Sequence, residues 1–171
     1  MSMGKVLRRV GDDVSTDIIY PGRFMATVLP TETPQYAFAD DTEFNRRLKA
    51  REIPPGSVLL AGKNFGCGSS REQAASCLKG HDLTVVAQNF ARIFLQNAIN
   101  LGLNMVICPT VEANEGDELE ARGGALVNRT SGKSFPIVPL PKARQAIIDA
   151  GGLIPYTRRL LMEQGGVGVG R

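Results

Sequence analysis

The chain has 171 residues, 43% of them hydrophobic, with 20 Lys and Arg against 17 Asp and Glu and a formal net charge of +3. That content suits one core of ordinary domain size, and the charges are mixed along the chain instead of gathered into a basic block, which argues against a nucleic-acid partner. No stretch approaches the roughly 20 consecutive apolar residues of a membrane span and residues 1–10 lack the apolar centre of a secretory signal, so a cytoplasmic protein without membrane contact is expected.

Residues 5–10 are predicted to form a short strand that runs into Gly11-Asp12-Asp13-Val14-Ser15-Thr16-Asp17, a loop dense in turn formers. Residues 18–28, interrupted by Pro21 and Gly22, make an ordered loop or one helical turn. Residues 42–50 place Phe44 and Leu48 four apart on a polar background, a short amphipathic helix ending before Pro54-Pro55-Gly56. Residues 57–61 form an apolar run read as a buried strand, followed by a glycine-rich turn and a helix over residues 71–79 that stops at Gly80.

The same alternation then repeats. Residues 83–87 read as a strand, residues 90–99 as a helix through Phe90, Ile93, Phe94 and Ala98, and residues 104–108 as a third buried strand. This β-α-β-α-β order predicts an α/β fold with a parallel layer. Residues 118–122, 125–128 and 134–139 suit a meander of small strands, and residues 142–150 a helix. A single domain over residues 1–164 is expected, with residues 165–171 as a flexible glycine-rich tail.

The chemistry concentrates in Asn64-Phe65-Gly66-Cys67-Gly68-Ser69-Ser70-Arg71-Glu72. Glycines let backbone approach a ligand, a helix N-terminus presents free N–H groups and a positive dipole end, and Arg71 suits bidentate binding of a carboxylate. The segment meets neither the phosphate-loop pattern, since Lys63 precedes the glycines, nor the dinucleotide pattern, since Arg71 stands where a third glycine belongs. The bland reading is that Ser69 or Ser70 caps the helix while Arg71 pairs with Glu72 or Glu43.

This segment resembles the signature of the swivelling domain of aconitases and of the small subunits of isopropylmalate isomerases and homoaconitases. Asp12-Asp13-Val14-Ser15-Thr16-Asp17-Ile18-Ile19 with Pro21 is similar to the family's opening loop, Asn89-Phe90-Ala91-Arg92-Ile93-Phe94 with residues 97–103 to its second landmark, and Gly151-Gly152-Leu153-Ile154 to its closing segment. The resemblance implies a β/β/α swivelling domain docked, as heterodimer or heterotetramer, on a large subunit that holds a four-iron four-sulfur cluster with its own cysteines. It implies a hydro-lyase, active only in that complex, which moves the hydroxyl of a small dicarboxylate by dehydration and rehydration, the cluster iron acting as Lewis acid, as in leucine biosynthesis.

By the same resemblance Ser69 matches the serine that takes the carbon-bound proton as an alkoxide, and Ser70 and Arg71 match residues that bind substrate carboxylate. The resemblance also implies that the loop of Arg23, Phe24, Met25, Ala26 and Thr27 lies over the substrate's variable group. Ala26 stands where forms accepting an additional carboxylate carry arginine, which suits an isopropyl or methyl group; Arg23 weakens that argument, and Phe24-Met25 departs from the commoner Tyr-Leu. Gln73 stands where the signature usually has His, keeping a hydrogen-bonding group without a titratable one.

Cys67, Cys77 and Cys108 lack the close pairing of a metal or redox site and are expected to be reduced, with no metal held by this chain. His81, the only histidine, is expected in an exposed turn, which leaves a Ser-His-Asp hydrolase a poor alternative. The open alternatives are a related hydro-lyase (homoaconitase, dimethylmalate or methylmalate dehydratase), a non-catalytic module that binds organic acids, and a paralogue that kept only the fold.

Overall fold

The computed structural model describes residues 2–165. Its centre is the trio β2 (Val58–Ala61), β3 (Thr84–Ala87) and β4 (Asn104–Ile107), paired in parallel and in register. Strands covered on both faces need no polar alternation, and their side chains point alternately to opposite sides. Leu59, Ala61, Val85, Ala87 and Met105 accordingly join one core, and Val58, Leu60, Val86 and Val106 a second.

β1 (Ser2–Arg9) extends the parallel group beside β2 and takes β5 (Glu118–Arg122) antiparallel on its other edge; β6 (Ala125–Asn128) and β7 (Ser134–Pro136) continue the meander. The order is β4-β3-β2-β1-β5-β6-β7. Just past β7, the Val138 N–H donates to the Ile107 carbonyl of β4 at 2.8 Å. The sheet thus curls until its two ends meet, and the second core, with Met3, Val6, Leu119, Leu126 and Phe135, fills the curl.

The first core lies between the outer face of the parallel strands and the helices. It takes Phe44 and Leu48 from α2 (Thr42–Lys49), Ala74, Cys77 and Leu78 from α3 (Glu72–Lys79), Phe94, Ala98 and Ile99 from α4 (Arg92–Leu101), and Ile148 from α5 (Lys142–Asp149). Asp41 caps α2 by accepting from the Phe44 N–H at 3.1 Å, the reciprocal of an orphan donor in any first turn. The expected α/β architecture is present.

Three segments depart most from expectation. β1 begins at Ser2, because pairing with β5 recruits residues whose side chains carry no strand signal. The loop before α2 holds α1 (Thr16–Ile19) and 3₁₀ turns at Gly22–Phe24 and Thr33–Tyr36. α6 (Leu153–Gly165) follows Gly151 and Gly152 and contains Gly165, which was expected to open the tail; residues 166–171 lie outside the described residues. Pro155 sits in its first turn, where proline costs no hydrogen bond. Among the described residues no helix is long and apolar enough to cross a membrane.

Candidate active site

Three loops leave the carboxyl ends of β1, β2 and β3 and are knitted together by the turn-forming residues that mark them in the sequence. The Lys63 N–H donates to Asp12 Oδ1 at 2.7 Å, Asn64 Nδ2 to Asp13 Oδ1 at 2.9 Å, and the Asn64 N–H to Asn89 Oδ1 at 2.6 Å. Backbone bonds from Gly66 to Val14 and from Thr16 to Cys67, both 2.8 Å, complete the weave. Gly66 has φ +85°, and a Cβ there would run into the Phe94 ring, itself packed edge-on against Phe65. Only glycine fits so close an approach at such a φ.

The weave delivers Ser69 to Thr16. Their hydroxyl oxygens lie 3.1 Å apart, with Thr16 buried and Ser69 exposed. Ser70 is also exposed, and its carbonyl accepts from Asn97 Nδ2 of α4 at 3.3 Å. Neither serine caps α3: Arg71 occupies the cap position, and no side chain bonds there.

Arg71 does not pair with Glu72 or Glu43. Its Nη1 donates to Asp17 Oδ1 at 2.6 Å and to the Tyr20 carbonyl at 3.0 Å, with the side chain only 16% exposed. Its Nε is buried without a partner among the described residues. Asp17 Oδ1 also accepts from the Gly22 N–H at 2.9 Å. The Arg71 guanidinium first, and the Gly22 amide second, hold the exposed Asp17 carboxyl below the ordinary carboxylate range. Asp17 is a site residue that the sequence reading did not single out. It stood inside the expected opening loop, but nothing local announces a partner 54 positions away.

The loop over residues 23–27 abuts this centre. Arg23 turns away to Asp40, 2.6 Å from Nη2 to Oδ1, and lies over the Phe24 ring, which stacks on Tyr36. Tyr20 is fully buried and its hydroxyl reaches the carbonyls of Phe24 at 3.1 Å and Thr27 at 3.3 Å; burial raises its pKa and keeps it a neutral donor. Gln73 Nε2 donates to the Met25 carbonyl at 3.3 Å. Met25 and Ala26 are exposed at the crown.

Among the described residues the thiols do not converge. Cys77 lies in the first core and Cys108 in the second, on opposite faces of the sheet, and burial pushes both thiols up, against thiolate formation. Cys67 is half-exposed beside the site. Among the described residues no group of three or more His, Cys, Asp or Glu is placed to hold a metal. An iron–sulfur cluster therefore does not fit these cysteines. His81 is half-buried where an exposed turn was expected: its Nε2 lies 2.8 Å from the Pro34 carbonyl, and burial lowers its pKa. It sits beyond the far end of α3 from Ser69, a helix about 12 Å long, so no Ser-His pair forms.

The chain is similar to known proteins. The aconitase C-terminal domain family matches residues 25–108. The chain is 43% identical, over 91% of its length and 96% of the relative's, to a 3-isopropylmalate dehydratase small subunit of Methanosarcina mazei. It is 40% identical, over 91% and 93%, to an isopropylmalate/citramalate isomerase small subunit of Methanocaldococcus jannaschii. The crystal structure of a 3-isopropylmalate dehydratase from Methanocaldococcus jannaschii superposes with a TM-score of 0.88 at 35% identity, covering 98% of this chain and all of that one.

Proposed function

Because the chain belongs to the 3-isopropylmalate dehydratase small-subunit family, of aconitase-like architecture, we propose that it is the small subunit of a heteromeric hydro-lyase. That enzyme interconverts 2-isopropylmalate and 3-isopropylmalate by dehydration and rehydration, in leucine biosynthesis in the cytoplasm. The observation that carries the reading is the exposed Ser69 hydroxyl, bonded to a buried Thr16 hydroxyl and two residues from the Arg71 guanidinium, which Asp17 and the Tyr20 carbonyl orient.

Ser69 Oγ, as alkoxide, accepts the proton on the carbon beside the one that bears the hydroxyl, and returns it on rehydration. A free serine hydroxyl is far too weak an acid for this. Its anion is stabilised by the Arg71 charge, the N-terminus of α3 and a hydrogen bond from Thr16 in a site closed to water. Ser70 and Arg71 bind a substrate carboxylate.

Ser69 and Ser70 lie open to solvent on this chain, so closure requires a partner. Ile18, Met25 and Ile93, respectively 51%, 44% and 53% exposed, supply apolar contact beside them. The partner is the large subunit, and the four-iron four-sulfur cluster of such an enzyme belongs to it, since the thiols here do not converge. The described residues act as one swivelling domain against that subunit.

Arg23 is engaged by Asp40 and Ala26 offers no charge, which favours an alkyl substituent over the extra carboxylate of a homoaconitase substrate. The relative named for citramalate supports a methyl substituent as a second reading. The test is anaerobic reconstitution with the candidate large subunit, following the ultraviolet absorbance of the unsaturated acid with a series of alkyl-substituted malates. The complex is expected to turn over isopropylmalate while the chain alone does not; a complex that binds malates without turnover would mark a binding module instead.

A further inference from the structure

We propose that Gln73 is a positioning residue that sets substrate discrimination, by tethering the crown of the 23–27 loop to α3 through the Met25 carbonyl. The proposal rests on the reading above that this loop faces the substrate's variable substituent. Two side chains of α3, one helical turn apart and so on one face, reach the segment that carries the loop. At its foot the buried hydroxyls of Ser76 and Thr33 lie 2.9 Å apart. At its crown Gln73 Nε2 donates to the Met25 carbonyl at 3.3 Å.

Between foot and crown a cleft separates part of the segment from the helix. A cavity of about 190 Å³ opens there, lined by Val28, Pro30, Glu72, Gln73, Ser76 and Leu101, and Val28 and Leu29 are exposed. The cleft leaves the limb little dispersion contact with α3, so where the crown sits over that helix depends on the Phe24–Tyr36 stack at one side and on polar anchors. Tyr20 divides one hydroxyl proton between the Phe24 and Thr27 carbonyls. Met25, between them, has Gln73 as its carbonyl's donor. Gln73 also follows Arg71 by two residues, so the anchor ties the crown to the segment that grips the carboxylate, fixing the distance from gripped end to substituent pocket.

The residue type matters. An amide donates at every pH, whereas a carboxylate of the same shape only accepts and repels a carbonyl until it is protonated. Gln73 touches no reacting atom; its effect is on which substituent fits.

The test uses Gln73→Ala and Gln73→Glu in the full chain, alone and reconstituted with the large subunit. In the isolated chain, hydrogen exchange at the Met25 and Thr27 amides is expected to quicken about tenfold in Gln73→Ala, with the amides of β3 unchanged. In the complex, the ratio of kcat/KM for isopropyl- over methyl-substituted malate is expected to shift by about fivefold, mainly in KM. Gln73→Glu, ionised and unable to donate at about pH 8, is expected to lose the tether there as Gln73→Ala does.

Unchanged loop exchange in Gln73→Ala would overturn the tether. Quickened exchange with an unchanged ratio, or a uniform loss on every substrate, would overturn the specificity role. A wild-type complex that turns over no malate would remove the functional reading and the specificity claim with it, and the exchange measurement would then still decide the tether by itself.

Discussion

At the residue scale, the groups that hold the site together come from both ends of a long separation in sequence. Ser69 and Arg71 follow one another after β2, but Thr16 and Asp17 orient them from the loop after β1. Arg71→Lys puts a compact ammonium in place of a planar fork whose Nη1 alone bonds both Asp17 and the Tyr20 carbonyl, and it cannot match a carboxylate bidentately. We expect KM to rise about tenfold or more with a smaller change in kcat, read from steady-state kinetics of the complex. Gly66→Ala faces a φ of +85° and the Phe94 ring, whereas Gly68→Ala, at φ +99°, meets Thr16 Oγ1 only at an ordinary 3.5 Å. Urea unfolding should show the first losing more than about 2 kcal/mol and the second about 1 kcal/mol. The contiguous serines and arginine were legible in the sequence because a glycine-rich turn into a helix announces itself locally. Asp17 was not, because a carboxylate in a polar loop looks the same whether or not it meets a guanidinium, and Gln73 showed only as a departure from a pattern.

At the element scale, the β-α-β-α-β centre was readable because strands covered on both faces become unbroken apolar runs, and the helices between them carry Phe94, Ala98 and Leu78 at core-facing positions. α6 was not readable: its entry through two glycines and a proline looks like a turn, and none of its side chains is buried, so no inward stripe marks it. The 3₁₀ turn at Thr33–Tyr36 was likewise silent, since what holds it is tertiary. His81 bonds its Pro34 carbonyl, Ser76 meets its Thr33, and Asn45 Nδ2 donates to the carbonyl of Gln35 at 3.0 Å. Burial lowers the affinity of His81 for a proton in the folded state, so its contribution to stability is complete above the ordinary histidine range. That contribution is lost as the pH falls from that range through the depressed folded value. Thermal melts of the chain from about pH 7.5 to about pH 5 should therefore fall more steeply for wild type than for His81→Gln. Parallel slopes would show that His81 is not buried in solution.

At the scale of the whole molecule, the curl that brings Val138 to Ile107 separates two cores and sends the loops after β1, β2 and β3 to one end. The parallel order was foreseen but its closure was not, because a single bridge between distant segments leaves no periodicity. The loop end presents the site among exposed apolar side chains. Ile93 stands one turn before Asn97, which bonds Ser70. Ile93→Asp is expected to weaken association with the large subunit about tenfold or more while the melting of the isolated chain stays unchanged, measured by titration of the two subunits; unaltered affinity would place the interface elsewhere. The proposed role of the Ser69 hydroxyl at such an interface is central to the chemistry. Its most direct test is Ser69→Ala in the reconstituted complex, assayed for both half-reactions with assembly monitored in parallel. The prediction is a loss of turnover by about a thousandfold or more with the complex still formed and substrate still bound, whereas turnover within tenfold of wild type would contradict the role given to Ser69.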